Sequence, residues 1–183
     1  MVLFGVMGFA LFFLSDWNDL HRGDKRLCWL FPAGAVLFCS AVAAESRPGA
    51  APLTGAWQII AAAAAVIFLA LEVYSLFFAL PAGDSYGKPG AKRPALTQGV
   101  YALCRHPGVL WMIGLLICLW LSCGLPLLCV AVYSLLDVLL VVYEDRCVFP
   151  VLLEGYDAYQ KRTPFLVPSA GSIREFLASN KGD

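Results

Sequence analysis

The chain has 183 residues, of which 60% are hydrophobic and 14% charged, with 13 Lys and Arg balancing 13 Asp and Glu. A soluble globular domain carries roughly 25% charged residues, so that class is excluded, and a mean hydropathy of +0.74 marks an integral membrane protein. There is no basic patch for nucleic acid, and two histidines with seven cysteines outside any Cys-x-x-Cys spacing predict neither a metal site nor a disulfide framework.

Apolar runs cover roughly Val2 to Leu14, Leu27 to Ala44, Trp57 to Leu80, Val109 to Leu121 and Leu125 to Tyr143. They are continuous rather than alternating, which predicts helices and not a barrel. The expected fold is all-α: one membrane domain over residues 1–183, a bundle of five transmembrane helices, three of them within residues 1–80. The first and fourth runs fall short of the ~20 residues a span usually needs, so flanking residues, tilt or local thinning must make up the difference. Ala41-Val-Ala-Ala-Glu45 resembles a signal-peptidase site, but an apolar segment and a charged loop precede it, unlike a secretory leader. Gly124-Leu-Pro126 interrupts an otherwise overlong run and makes the last two spans a tight hairpin.

The basic residues orient the bundle. Arg22, Lys25 and Arg26 follow the first run, and Arg47 follows the second. Lys88, Lys92, Arg93 and Arg105 follow the third, and Arg146, Lys161, Arg162, Arg174 and Lys181 lie in the tail. With five crossings, all of these but Arg47 fall on one side, which predicts an outside N-terminus and a cytoplasmic C-terminus.

Two stretches on that cytoplasmic side carry chemistry. In Gly99-Val-Tyr-Ala-Leu-Cys-Arg-His-Pro107 a basic loop turns into an apolar helix, so Arg105 and His106 stand beside a helix N-terminus whose free N–H groups and partial positive charge suit an anion. Beyond Tyr143, Val148, Leu152, Tyr156 and Tyr159 recur at helical spacing, opposite Glu154, Asp157, Gln160, Lys161 and Arg162. That pattern predicts a C-terminal amphipathic helix at the membrane interface, ending at Thr163-Pro164. Two acids lie deeper, Glu72 in the third run and Asp137 in the fifth, where an ionised carboxylate costs at least ~2.5 kcal/mol unless paired or hydrated. Asp137 precedes Glu144 by seven residues and shares its helix face.

Gly99-Val-Tyr-Ala-x-x-Arg105-His106-Pro107, Glu144-Asp145, Tyr156-x-x-Tyr159 and Lys161-Arg162-x-Pro164 together resemble the isoprenylcysteine carboxyl methyltransferase family and its bacterial relatives. These are multi-span enzymes that use S-adenosylmethionine. The resemblance covers roughly residues 96–168, a methyltransferase-like core with the cofactor motif, followed by a tail over 169–183. It implies that Tyr101, Arg105, His106, Pro107, Glu144, Asp145, Tyr156 and Tyr159 hold the methyl donor and that Arg105 and Arg162 orient a carboxylate acceptor. The chemistry agrees: the donor's carboxylate suits Arg105, His106 or the N–H groups after Pro107, its ammonium or hydroxyls suit Glu144 or Asp145, and the two tyrosines can wall the adenine.

This chain departs from the family where Gly108-Val109-Leu110-Trp111 replaces x-Tyr-x-Gly, Asp145 replaces a second Glu, and Leu153 replaces a Gly. Trp111 is expected to narrow the cleft, and Glu72 and Asp137 to line the acceptor pocket. The expected acceptor is a hydrophobic or lipidated molecule reached from the bilayer, and no nucleic acid. Three other readings remain open: a phospholipid or amine N-methyltransferase, an NADPH-dependent membrane reductase, and a non-catalytic membrane scaffold.

Overall fold

The structure, a computed structural model, describes residues 2–78 and 92–179. Lys88, Lys181 and the last two residues of the third apolar run, Ala79 and Leu80, lie outside them. The fold is all-α. Helix α1 covers Val2–His21, α2 Leu30–Glu45 and α3 Gly55–Val73, the last continuing as a wider π turn over Tyr74–Phe78. A short α4, Val100–Leu103, leads to α5, Pro107–Cys123, and α6, Leu127–Tyr143, which passes through a second π turn, Glu144–Val148, into α7, Phe149–Leu152. Two small helices end the described residues, α8 at Tyr156–Arg162 and α9 at Ala170–Ser179.

Four of these segments are long and apolar enough to cross a membrane: Val2–His21, Lys25–Glu45, Gly55–Phe78 and Leu127–Leu152. The first span is longer than its apolar part, because the helix carries on past Asp16 to His21, 20 residues in all. The fourth remains short, with 17 residues in α5. Only 22–28% of each long span is buried inside the protein; Trp57, Ile59, Val66, Ile67, Leu128 and Leu135 project outward. A belt of that size is untenable in water and natural against lipid, so this is a membrane protein.

Packing follows small residues. α1 lies against α2 where Gly8 meets Gly34: a Cβ on Gly8 would stand 2.9 Å from the Gly34 carbonyl, so the two backbones approach as closely as small residues permit. α3 packs on α5 with the Phe68 ring against Gly114. Between α5 and α6, Gly124 has φ +67° and lies directly against the Arg47 carbonyl, two reasons for a residue without Cβ. The core between α1, α2, α5 and α6 is Phe9, Phe38, Leu116, Leu125, Cys129, Val130, Tyr133 and Leu140.

One end of the bundle gathers the C-terminal ends of α1, α3 and α6 and the start of α5. Asp19 and Arg93 lie within each other's field there, as do Asp16 and Glu144, and Gly108 faces the Glu72 carboxylate.

The C-terminal amphipathic segment differs from its expectation. Val148, Leu152, Tyr156 and Tyr159 do not share one helix, because the chain breaks between α7 and α8. Leu153–Glu154 is extended and pairs in parallel with Arg93–Pro94, and Gly155 turns at φ +75°, a conformation that costs glycine little. Backbone pairing with the α3–α4 connection outcompetes the helical stripe. α8 itself is amphipathic, with Tyr156 and Tyr159 buried and Asp157, Lys161 and Arg162 exposed, and it ends at Thr163 as expected.

Candidate functional site

The site is built where the turn before α5 meets the exit of α6. The Arg105 guanidinium grips Asp145 with both prongs, Nε donating to Oδ1 at 2.8 Å and Nη2 to Oδ2 at 3.1 Å. Its Nη1 donates to the carbonyls of Gln160 at 3.1 Å and Thr163 at 2.6 Å. Tyr156 donates to Asp145 Oδ1 at 2.6 Å and Gln160 to Oδ2 at 3.2 Å. The backbone is tied too, Arg105 N–H to the Pro164 carbonyl at 2.9 Å and His106 N–H to that of Phe165 at 3.3 Å. A bidentate, charge-assisted pair this buried holds geometry as well as energy. The Asp145 charge and bonds raise the Arg105 pKa against the opposing effect of its burial.

His106 is 6% exposed, stacked on Phe149 at 5.7 Å and edge-on to Phe165 at 5.2 Å. Burial pushes its pKa down to about 4, aided by the Arg105 charge and opposed by the Asp145 bond and charge. At neutral pH it is therefore an uncharged hydrogen-bonding group, and its contacts with the two acids are not ion pairs. Asp145 Oδ1, 3.2 Å from Nε2, needs a donor there, which assigns the N–H to Nε2. Nδ1 is then an acceptor, 3.7 Å from Glu144 Oε2. Two acceptors facing each other at that distance are set to share an incoming donor such as an ammonium or hydroxyl.

The three site tyrosines have their hydroxyls engaged. Tyr101 donates to the Ser75 carbonyl at 3.0 Å and Tyr159 to the Tyr101 carbonyl at 2.7 Å, while Tyr156 serves Asp145. Burial raises the Tyr156 and Tyr159 pKa values. It also lifts that of Tyr101, to about 12, with the charges of Glu72 and Glu144 contributing. Glu72 of α3 and Glu144 at the start of the second π turn thus both lie within electrostatic reach of Tyr101. Pro107 is the first residue of α5 and is buried. The helix start expected to face an anion faces the carboxyl group of Glu72, whose oxygens would lie 3.4 Å from a Cβ on Gly108.

Behind Glu144 runs a chain of acids. Glu144 feels the charges of Asp16 and Asp137 and bonds to Asp16, and Glu72 feels Asp137. Two carboxyl groups can bond only if one keeps a proton. Glu72 Oε2, Asp137 Oδ2 and Asp16 Oδ2 are buried without a hydrogen-bonding donor. Trp111 lies alongside, its indole N–H donating to Ser75 Oγ at 3.1 Å and its ring 6.5 Å from that of Phe68, so it seals α5 to α3.

Arg105, His106, Pro107, Asp145, Tyr156 and Tyr159 thus converge, with Glu144 and Tyr101 on the inner side and Glu72, Asp137 and Trp111 deeper. Arg162 does not join them. It is exposed at the end of α8, and among the described residues it bonds to none of the acids, because the residues facing inward from this helix are Tyr156, Tyr159 and Gln160. Sequence reasoning missed Asp16, Gln160, Phe149 and Phe165. Asp16 had a legible signal, an acid at the end of an apolar run; the others depend on how the tail folds back. No known protein family, curated protein or solved structure matches the chain.

Proposed function

We propose that the protein is a membrane methyltransferase that takes its methyl group from S-adenosylmethionine and delivers it to a hydrophobic or lipid-borne nucleophile. The observation that supports this most is that the Arg105-His106-Pro107 turn and the tail residues Asp145, Tyr156 and Tyr159, far apart in sequence, form one buried network. These are the residues in which the chain resembles the isoprenylcysteine carboxyl methyltransferases.

The side chains fit the donor's cationic and hydroxyl groups. Glu144 and His106 Nδ1 offer paired acceptors, and Asp16 offers a carboxyl oxygen with no hydrogen-bonding donor. In this reading Arg105, Asp145, Tyr156 and Tyr159 are positioning residues that hold His106 and the exit of α6 in register. Bound S-adenosylmethionine supplies an electrophilic methyl group. The protein's task is to align a nucleophile with it and keep water out, which suits a site between lipid-facing helices. The N-terminus lies outside and the C-terminus and donor site face the cytoplasm, by the bias of basic residues. The experiment is transfer of radiolabelled methyl from S-adenosylmethionine into the lipid extract of membranes containing the protein. Labelled product above a Glu144→Gln control is expected, and equal label in both would refute the assignment.

A further inference from the structure

The acids behind Glu144 bear on what accepts the methyl group. Glu72 is 9% exposed, lies on a membrane-spanning helix, and has an oxygen with no hydrogen-bonding donor. Asp137 of α6 lies within reach of its charge, and the Asp137 Oδ2 is also buried without a donor. Asp137 and Glu144, seven residues apart on one face, extend the wall over ~10 Å. Among the described residues no Lys, Arg or His forms an ion pair with Glu72, Asp137 or Asp16; Arg105 pairs with Asp145, and the uncharged His106 contacts Glu144 and Asp145. Arg105 has committed four hydrogen bonds elsewhere. Three residues beyond Glu72, in the π turn that continues α3, Ser75 takes the indole N–H of Trp111, and Gly108, three residues before Trp111 on α5, faces the Glu72 carboxyl, so the indole lies one helical turn from that carboxyl group. Carboxylates with an aromatic face are the chemistry that recognises an ammonium. At these acids an acceptor carboxylate would meet other carboxyl groups and, among the described residues, no cation paired with them.

We propose that Glu72 and Asp137, walled by Trp111, bind the ammonium group of an amine acceptor, so that the substrate is an amine, not a carboxylic acid. This rests on the methyl-transfer reading above. In the transfer, the ammonium releases one proton to the carboxyl pair, and the freed nitrogen lone pair forms the N–C bond. The donor's S–CH3 bond breaks as this happens, its electrons staying on sulfur. The lipid-facing surroundings favour an amine carried on a long alkyl chain.

The test is equilibrium binding of radiolabelled dodecylamine, dodecanoate and ethylamine to the detergent-purified full chain, with Glu72→Gln and Asp137→Asn as variants. Thermal melting selects whichever variant retains the fold. Dodecylamine is expected to bind at least tenfold more tightly than dodecanoate, and a folded variant to lose at least tenfold. Ethylamine binding as tightly as dodecylamine would keep the ammonium site and make its source a soluble amine. Dodecanoate binding equally or better, or amine binding unchanged in a folded variant, overturns the proposal. Calorimetry with S-adenosylmethionine separates the two ideas. Donor binding with a preference for dodecanoate removes only the amine assignment, while amine binding without donor binding removes the methyl-transfer reading and leaves an amine-binding membrane protein.

Discussion

At the residue scale, Asp145 anchors the site, taking hydrogen bonds from Arg105, His106, Tyr156 and Gln160. Removing the cation leaves a buried carboxylate unpaired, so Arg105→Ala is predicted to destabilise the protein by about 3–5 kcal/mol. Arg105→Lys should rescue little, since an ammonium cannot reproduce the fork; thermal melting in detergent measures both. His106 gives a pH signature. Its folded pKa of about 4 lies below the ordinary 6.5, so the unfolded chain takes up a proton first. The stability of the neutral buried ring is full above pH ~6.5 and is lost as pH falls toward 4, on the order of 3 kcal/mol in all. Wild-type protein should lose more stability between pH 7 and 4.5 than His106→Gln in parallel melts; identical losses would contradict the buried neutral ring. Arg105, His106, Glu144 and Asp145 were legible in the sequence because their residue types and spacing form a pattern. Phe149 and Phe165, which sandwich His106, were not, since an aromatic in an apolar chain carries no mark of its neighbour.

At the element scale, contiguous hydrophobicity predicted the spans and Gly124-Leu-Pro126 predicted the hairpin. What could not be read was competition between local and distant backbone pairing. Residues 148–159 have helical periodicity, yet Leu153–Glu154 pairs with Arg93–Pro94, a partner some sixty residues away that no local pattern announces. The closeness of α1 and α2 makes a sharper prediction. Gly8→Leu drives a side chain into the Gly34 backbone and should cost about 1–3 kcal/mol. Gly49→Ala, in open space, should leave the melting temperature within error of wild type. Equal effects would mean that the two helices do not meet at these glycines.

At the scale of the whole molecule, the bundle brings acids from α1, α3 and α6 to the end where the Arg-His-Pro turn and the tail fold together. Sequence placed Glu72 and Asp137 in the membrane, but only the packing of three separate spans unites them with Asp16 and Glu144. The bias of basic residues predicts that green fluorescent protein fused to the C-terminus fluoresces and that alkaline phosphatase fused there is inactive; the reverse pattern would invert the molecule. The most direct test of the central claim is calorimetric titration of the detergent-purified protein with S-adenosylmethionine, with NADPH as control and Glu144→Gln alongside. Saturable binding of the methyl donor, weakened at least tenfold by the substitution and absent for NADPH, is the predicted result. Binding of NADPH alone, or donor binding indifferent to Glu144, would contradict it.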